Sequence, residues 1–183
     1  SKTLGILALT YTTWFGASAG WWVNSRAAAT LVFFGWFLVS TVCVMARRES
    51  LLRFLRRGWK AVALGEVLFL LVLAYLISIK MHNPDIHWGE KPMDTAFLNA
   101  AYKTETFPAQ DPWFAGVPIN YYYYGLFLAS LPIKATGTNP AVGFNLVIAT
   151  LFALTLVGAF ALVARLAGRL RYGLAGAAFV ALL

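Results

Sequence analysis

Charged residues are scarce in this 183-residue sequence, at 12% against about 25% in an average soluble domain. Cysteine is nearly absent. The single residue, Cys43, excludes a disulfide framework and a cysteine-rich metal site. The sequence also contains no P-loop, dinucleotide fingerprint or HExxH motif, so nothing in it indicates nucleotide-driven chemistry. These absences direct attention to what the sequence has in abundance.

Apolar residues make up 60% of the sequence, in runs too long to hide inside one small core. Because a membrane helix needs about 20 mostly apolar residues, the sequence predicts an all-α integral membrane protein, a multispanning helical bundle that forms one membrane domain over residues 1–183. The predicted spans are 4–23, 27–46, 61–79, 141–164 and 172–183. The last predicted span stops while still apolar, so we expect the chain to be a fragment of a longer protein.

The net charge of +8 is concentrated in two basic segments, residues 47–60 and 165–171. Cytoplasmic loops of membrane proteins are enriched in Lys and Arg, so both segments are predicted to lie inside, and the charge does not indicate nucleic-acid binding. Residues 80–118 then form an external loop that holds five of the seven acidic residues. We expect the protein to lie in the cytoplasmic membrane of a prokaryote.

The apolar run 119–133 is too short to be an ordinary span. It covers about 22 Å as a helix, whereas the hydrocarbon core is about 30 Å thick. If it crossed the membrane, the basic segment 165–171 would lie outside. The run is therefore predicted to be a juxtamembrane or re-entrant helix on the outer side.

Two carboxylates in the external loop are the first candidates for chemistry. Asp94 precedes a short helical pattern, Thr95–Tyr102, and is expected at its N-cap. It either caps the helix or acts as a base or metal ligand at the membrane surface. Glu90 lies four residues upstream, and two acids that close would separate their pKa values, as acid–base chemistry requires.

Other polar residues of the loop have two interpretations each. His82, Asp85, His87 and Glu90 are all possible metal ligands, but their spacing matches no defined zinc signature, which favours polar residues on a wet loop. Asp111 precedes a proline and either initiates a turn or belongs to the site. The run Tyr121–Tyr124 either forms an interfacial aromatic belt or binds a headgroup or sugar.

Small residues at helical spacing indicate close helix packing. Gly16 and Gly20 form a GxxxG pattern, and Gly173 and Gly176 add further small residues. Glu66 is the one acid inside a predicted span. It either pairs with a nearby basic residue or has a functional role.

Several segments together resemble a known family. They are Gly89-Glu-Lys-Pro-Met-Asp94, the following Phe97-Leu-Asn-Ala100, Phe107-Pro108, Asp111-Pro-Trp113 and Asn120-Tyr-Tyr-Tyr-Tyr-Gly125. They resemble the YYY family of multispanning membrane proteins (Chlor_Arch_YYY), a domain of unknown function named for its tyrosine run. The match is specific across residues 80–165. That family is similar to the GT-C superfamily of membrane glycosyltransferases, which use a polyprenyl-phosphate-linked sugar as donor.

The resemblance implies roles for these residues. Asp94 would be the general base, and Glu90 would orient it or help to hold a divalent metal such as Mg or Mn. Lys91 would neutralise the donor phosphate. Substrate-binding roles fall to Asp111, Asn120, Tyr121, Tyr122, Tyr123 and Tyr124. The adjacent acid pair common in GT-C enzymes is replaced here by Glu90-Lys-Pro-Met-Asp94.

Two other functions remain open at this stage. The chain could be a non-catalytic membrane scaffold, or an accessory subunit beside neighbouring membrane subunits. It could also be a transporter, which ranks last because the predicted spans offer almost no polar residue besides Glu66.

Overall fold

A computed structural model describes residues 2–182, and it confirms the predicted all-α class. Helices make up 77% of the chain, and residues 2–182 contain no strand beyond an isolated bridge between Gln110 and Pro118. The helices are α1 (Lys2–Ser18), α2 (Arg26–Ala46), α3 (Arg48–His82), α4 (Lys91–Lys103), α5 (Tyr124–Thr136), α6 (Pro140–Ala167) and α7 (Leu170–Leu182).

Three of these helices, α2, α3 and α6, are long and apolar enough to cross a membrane, and α7 is a shorter apolar helix. Helix α1 ends at Ser18, five residues before the predicted end of the first span. The chain turns there because Gly20 adopts a positive φ of 75°. Beyond the turn, Trp22 folds back and its indole Nε1 donates to the Thr13 carbonyl at 3.2 Å.

Helix α3 is longer than predicted. It is 35 residues long, or about 52 Å, and contains both the predicted span 61–79 and the basic segment before it. The segment 47–60 is therefore not the loop that its charge suggests but a helix from Arg48 onward. Segment 80–118 contains α4, which covers the predicted helical pattern Thr95–Tyr102 and begins four residues before it.

The chain divides into two compact units. The first comprises residues 2–41 and 84–145, and the second residues 42–83 and 146–182. In the first unit, α4 packs on α5 and α5 on α1, around the buried side chains of Ala29, Ala101, Phe127 and Leu131. In the second unit, Leu156, Phe160 and Ala177 form the core, with Leu64 and Leu68 of α3 packed against them.

Of the two predicted glycine pairs, one allows close helix packing. Gly16 lies against the Trp22 ring, and Gly20 is outside any helix, so the pair does not form a GxxxG helix-packing face as predicted. Gly173 and Gly176 do allow close approach. A Cβ added at Gly173 would lie 2.7 Å from the Ala164 Cβ, and one at Gly176 would lie 2.6 Å from a methyl group of Val163.

Candidate functional site

Helix α4 carries the acid pair, but it begins earlier than predicted. Glu90 is the N-cap, and Pro92 lies in the first turn. A proline there costs no hydrogen bond, because the first backbone N–H groups of a helix have no intrahelical partner. Asp94 is therefore inside the helix, where its N–H donates to the Glu90 carbonyl at 2.9 Å. The expected N-cap role of Asp94 is wrong.

The two carboxylates lie on one face of α4 because they are four residues apart. Asp94 is partly buried and Glu90 is exposed. Burial, and secondarily the Glu90 carboxylate, raises the pKa of Asp94. An ion pair with Lys91 or Lys103 would lower that pKa instead. The neighbours of Asp94 therefore favour proton uptake.

Aromatic rings surround Phe97, which follows Asp94 by three residues on the same face of α4. Its ring stacks on Tyr121, with centroids 5.4 Å apart and an interplanar angle of 16°, and on Trp113 at 6.2 Å and 27°. Tyr122 contacts Tyr121 at 5.2 Å and is 86% exposed. Near the acid pair, a partly exposed aromatic surface is formed by Phe97, Trp113, Tyr121 and Tyr122.

The other two tyrosines of the run point into the protein. The Trp14 indole Nε1 donates to the Tyr123 hydroxyl at 3.1 Å. The Tyr124 hydroxyl lies 3.3 Å from the Thr10 hydroxyl, and its ring packs edge-on against Trp14 at 5.6 Å. These contacts attach the start of α5 to α1. The structure thus divides the tyrosine run into an outer pair and an inner pair.

Asp111 organises the loop that carries Trp113. Its Oδ1 accepts hydrogen bonds from the backbone N–H groups of Trp113 at 2.8 Å and Phe114 at 3.1 Å. This is the turn-initiating role that the sequence gave as one of two interpretations. Asn120 is exposed and follows the buried Ile119. Lys91 is partly buried in the first turn of α4.

The candidate metal ligands are only partly brought together. His87 Nδ1 lies 3.8 Å from the Asp85 carboxylate, with the two side chains 59% and 61% exposed. Within residues 2–182, no three His, Cys, Asp or Glu side chains are grouped closely enough to hold a metal ion. Glu90 interacts with Asp94 instead.

Sequence reasoning missed a second polar cluster in the same unit. The Lys134 ammonium, in the last turn of α5, donates to the carbonyls of Asn24 at 2.6 Å and Thr104 at 3.1 Å. The buried Asn24 amide in turn donates to the carbonyls of Ala101 and Thr104. Burial lowers the pKa of Lys134 to about 8, with Glu105 acting in the opposite direction. In the sequence, Lys134 only marks the end of an apolar run.

The helical architecture and its membrane-length helices define an all-α membrane protein. The chain belongs to the family described as "Uncharacterized membrane protein (DUF2298)", which matches residues 8–183. No curated protein and no solved structure matches the chain. The family match thus establishes the membrane class, and its span includes both the acid pair and the tyrosine run.

Proposed function

We propose that this protein transfers a sugar from a polyprenyl-phosphate-linked donor to an acceptor, at the membrane face where residues 80–118 lie. The observation that supports the proposal most directly is the setting of Asp94. Its carboxyl group has a raised pKa, which suits a general base. It lies on the α4 face that also carries Phe97 of the aromatic surface.

The proposed step uses Asp94 as the base. Its carboxylate takes the proton from the acceptor hydroxyl, and the acceptor oxygen forms a bond to the anomeric carbon of the sugar. The bond from that carbon to the phosphate oxygen breaks, and the polyprenyl phosphate leaves with the electron pair. Glu90 orients the base, and Lys91 lies where a compact cation could neutralise the leaving phosphate.

The aromatic surface gives the sugar a place to pack. Aromatic side chains in binding sites offer an apolar face with few conformational losses, and Tyr121 and Tyr122 add hydroxyl groups that reach solvent. Asp111 contributes indirectly, because its turn holds Trp113 in place. Asn120 is an exposed hydrogen-bonding group next to this surface.

The proposal includes an orientation. Residues 80–118 lie outside the cytoplasmic membrane of a prokaryote, and the basic segments 47–60 and 165–171 lie inside, as the positive-inside rule predicts. The single cysteine makes a direct test possible. In a Cys43→Ser background, an impermeant maleimide added to intact cells should label Lys103→Cys and not Arg169→Cys. The reverse labelling pattern would overturn the orientation.

The test of function is turnover of a polyprenyl-phosphate sugar by membranes that carry the protein. Asp94→Asn retains the shape of the side chain and removes its basicity, so donor consumption should fall to background. Asp85→Asn, a carboxylate in the same segment that is 61% exposed, is the matched control and should retain activity. Equal consumption by both variants, or none by the wild type, would contradict the proposal.

A second candidate is a non-catalytic scaffold or accessory subunit. It is favoured by the inner tyrosines, because the hydroxyls of Tyr123 and Tyr124 contact Trp14 and Thr10 instead of facing outward. If the scaffold function is right, neighbouring membrane subunits should co-purify with the protein, and Asp94→Asn should change neither their recovery nor any lipid-linked sugar pool. The structure adds no observation in favour of a transporter.

A further inference from the structure

The first part of α3 has a basic side that plays no part in the proposed sugar transfer. At about 100° per residue, Arg53, Arg56, Arg57 and Lys60 fall within an arc of about 100° on one side of the helix. Glu49 is the one acid on that arc, so the five side chains carry a net charge of +3. All five are exposed. A basic arc this dense requires an anionic partner or bulk water.

The opposite side of the same segment is apolar. It spans about 160° and comprises Leu51, Leu52, Phe54, Leu55, Gly58 and Trp59, and Arg48 at the start of the helix is the one charged residue on the same arc. Phe54 and Trp59 are each 59% exposed. An exposed apolar side that faces away from a basic side is typical of a helix at a lipid–water interface. Water alone is therefore a poor surrounding for this segment.

The position of the segment along α3 identifies its surroundings. The apolar stretch 61–79 is about 28 Å long as a helix, close to the 30 Å of a hydrocarbon core. Lys60 precedes it directly, and Arg53 lies about 10 Å further out along the helix. When the apolar stretch spans the core, Arg56, Arg57 and Lys60 therefore lie within the headgroup layer, which is about 5–8 Å thick on each side. Arg53 lies just beyond this layer, within reach of its long side chain.

The surface between the basic side chains is concave. Arg53 and Arg57 line a groove of about 500 Å³, together with Ser50, Phe54 and Gly58. Guanidinium groups bind phosphate oxygens in a bidentate manner, and the serine hydroxyl adds a further hydrogen-bonding group. Phe54 provides an apolar wall on one side. This combination of charge, hydrogen bonding and an apolar wall matches a phospholipid headgroup.

We propose that the segment Arg48–Lys60 of α3 binds the headgroups of anionic phospholipids, with the basic arc on their phosphates. The proposal is independent of the proposed transferase activity. It needs only the membrane class of the protein and the length of α3. Its prediction is selectivity for anionic over zwitterionic lipid.

The experiment uses the protein reconstituted in phosphatidylcholine vesicles that contain a trace of spin-labelled phosphatidylglycerol or spin-labelled phosphatidylcholine. Electron paramagnetic resonance measures the fraction of each label that the protein immobilises. The wild type should prefer phosphatidylglycerol at least about two-fold, and this preference should weaken in about 1 M salt. It should disappear in R53Q/R56Q/R57Q and persist in R53K/R56K/R57K, which separates loss of charge from loss of fold.

The matched control is R165Q/R169Q/R171Q, which removes the same charge from the other basic segment. It should retain the preference for phosphatidylglycerol. If the control loses the preference for phosphatidylglycerol to the same extent, the attraction is a general electrostatic one. If R53Q/R56Q/R57Q prefers phosphatidylglycerol as strongly as the wild type does, the basic arc is not involved. A wild type with no preference for phosphatidylglycerol would point to an acidic protein partner. Each of these three results overturns the proposal.

Discussion

The Lys134 ammonium donates a hydrogen bond of 2.6 Å to the main-chain carbonyl of Asn24, which lies 110 residues earlier in the chain. The same ammonium reaches Thr104 at the end of α4, and it lies 5.8 Å from the centre of the Tyr102 ring. Cations at a helix C-terminus are favourable because the last carbonyl groups have no intrahelical partners. Lys134 therefore ties the α1–α2 turn to the ends of α4 and α5.

Removing the ammonium should weaken the first unit. Lys134→Met retains an unbranched apolar chain but removes the lysine donor from the Asn24 carbonyl and one of the two donors to the Thr104 carbonyl. We expect a loss of about 2 kcal/mol in unfolding free energy. Thermal unfolding in detergent measures it. Lys103→Met, at an exposed lysine in the last turn of α4, is the control and should change stability little. Equal melting temperatures for the two variants would contradict this role of Lys134.

The lowered pKa of Lys134 predicts how stability depends on pH. The folded protein releases this proton near pH 8, whereas an unfolded lysine retains it to about 10.4. Between those values the unfolded state binds more protons, so the unfolding free energy rises with pH. The wild type should therefore gain stability relative to Lys134→Met between pH 7 and about 9.5. A gap that does not vary with pH would show that the lysine is not desolvated.

The raised pKa of Asp94 predicts the opposite dependence. Below the ordinary aspartate pKa of about 3.9 both states are protonated, and the folded state loses stability as pH rises through the raised pKa of Asp94. Asp94→Asn should thus be more stable than the wild type at neutral pH, and this advantage should shrink as pH falls toward 4. Chemical denaturation at several pH values measures it.

A second variant identifies the cause of that shift. Glu90→Gln removes the neighbouring charge but not the burial, which is the larger cause. It should therefore reduce the advantage of Asp94→Asn without abolishing it. An advantage unchanged by Glu90→Gln would mean that Glu90 does not act on Asp94. If the wild-type Asp94 carboxylate lowers the unfolding free energy at pH 7 but is needed for sugar transfer, it fits the general conflict between activity and stability.

The division of the tyrosine run predicts unequal effects of removing a hydroxyl. Tyr123→Phe leaves the Trp14 indole N–H without its acceptor and should cost about 1–2 kcal/mol of unfolding free energy. Tyr122→Phe, at a side chain that is 86% exposed, should leave stability unchanged. In the donor-consumption assay, Tyr122→Phe should alter the rate while its melting temperature stays that of the wild type. Equal destabilisation by both would contradict the division.

The helix bounds show which local signals were sufficient. The length of the apolar runs alone predicted α2, α3 and α6. A membrane-length helix forms all its backbone hydrogen bonds within its own segment, so the local sequence is enough to predict it. The sequence prediction misplaced two helix bounds, the end of α1, which lies at Ser18, and the start of α4, which lies at Lys91. Each depends on one residue, Gly20 or Pro92, whose effect on the backbone depends on where the chain goes next.

The candidate site shows the same limit. Spacing by four residues was enough to place Glu90 and Asp94 on one face, since helical periodicity is local. The direction of the Asp94 pKa, the stacking of Tyr121 on Phe97 and the inward turn of Tyr123 all depend on residues distant in sequence. No local pattern pairs Lys134 with Asn24.

The sequence by itself determined the membrane class, the helical architecture and the presence of an acid pair on one helical turn. Apolar length and periodicity dictate these features through hydrogen bonding within each segment. Only the tertiary structure decided which tyrosines point into the protein, which carboxylate is partly desolvated, and that a lysine at the end of α5 holds three segments together. Those outcomes depend on burial and on contacts between distant parts of the chain, which local sequence does not specify.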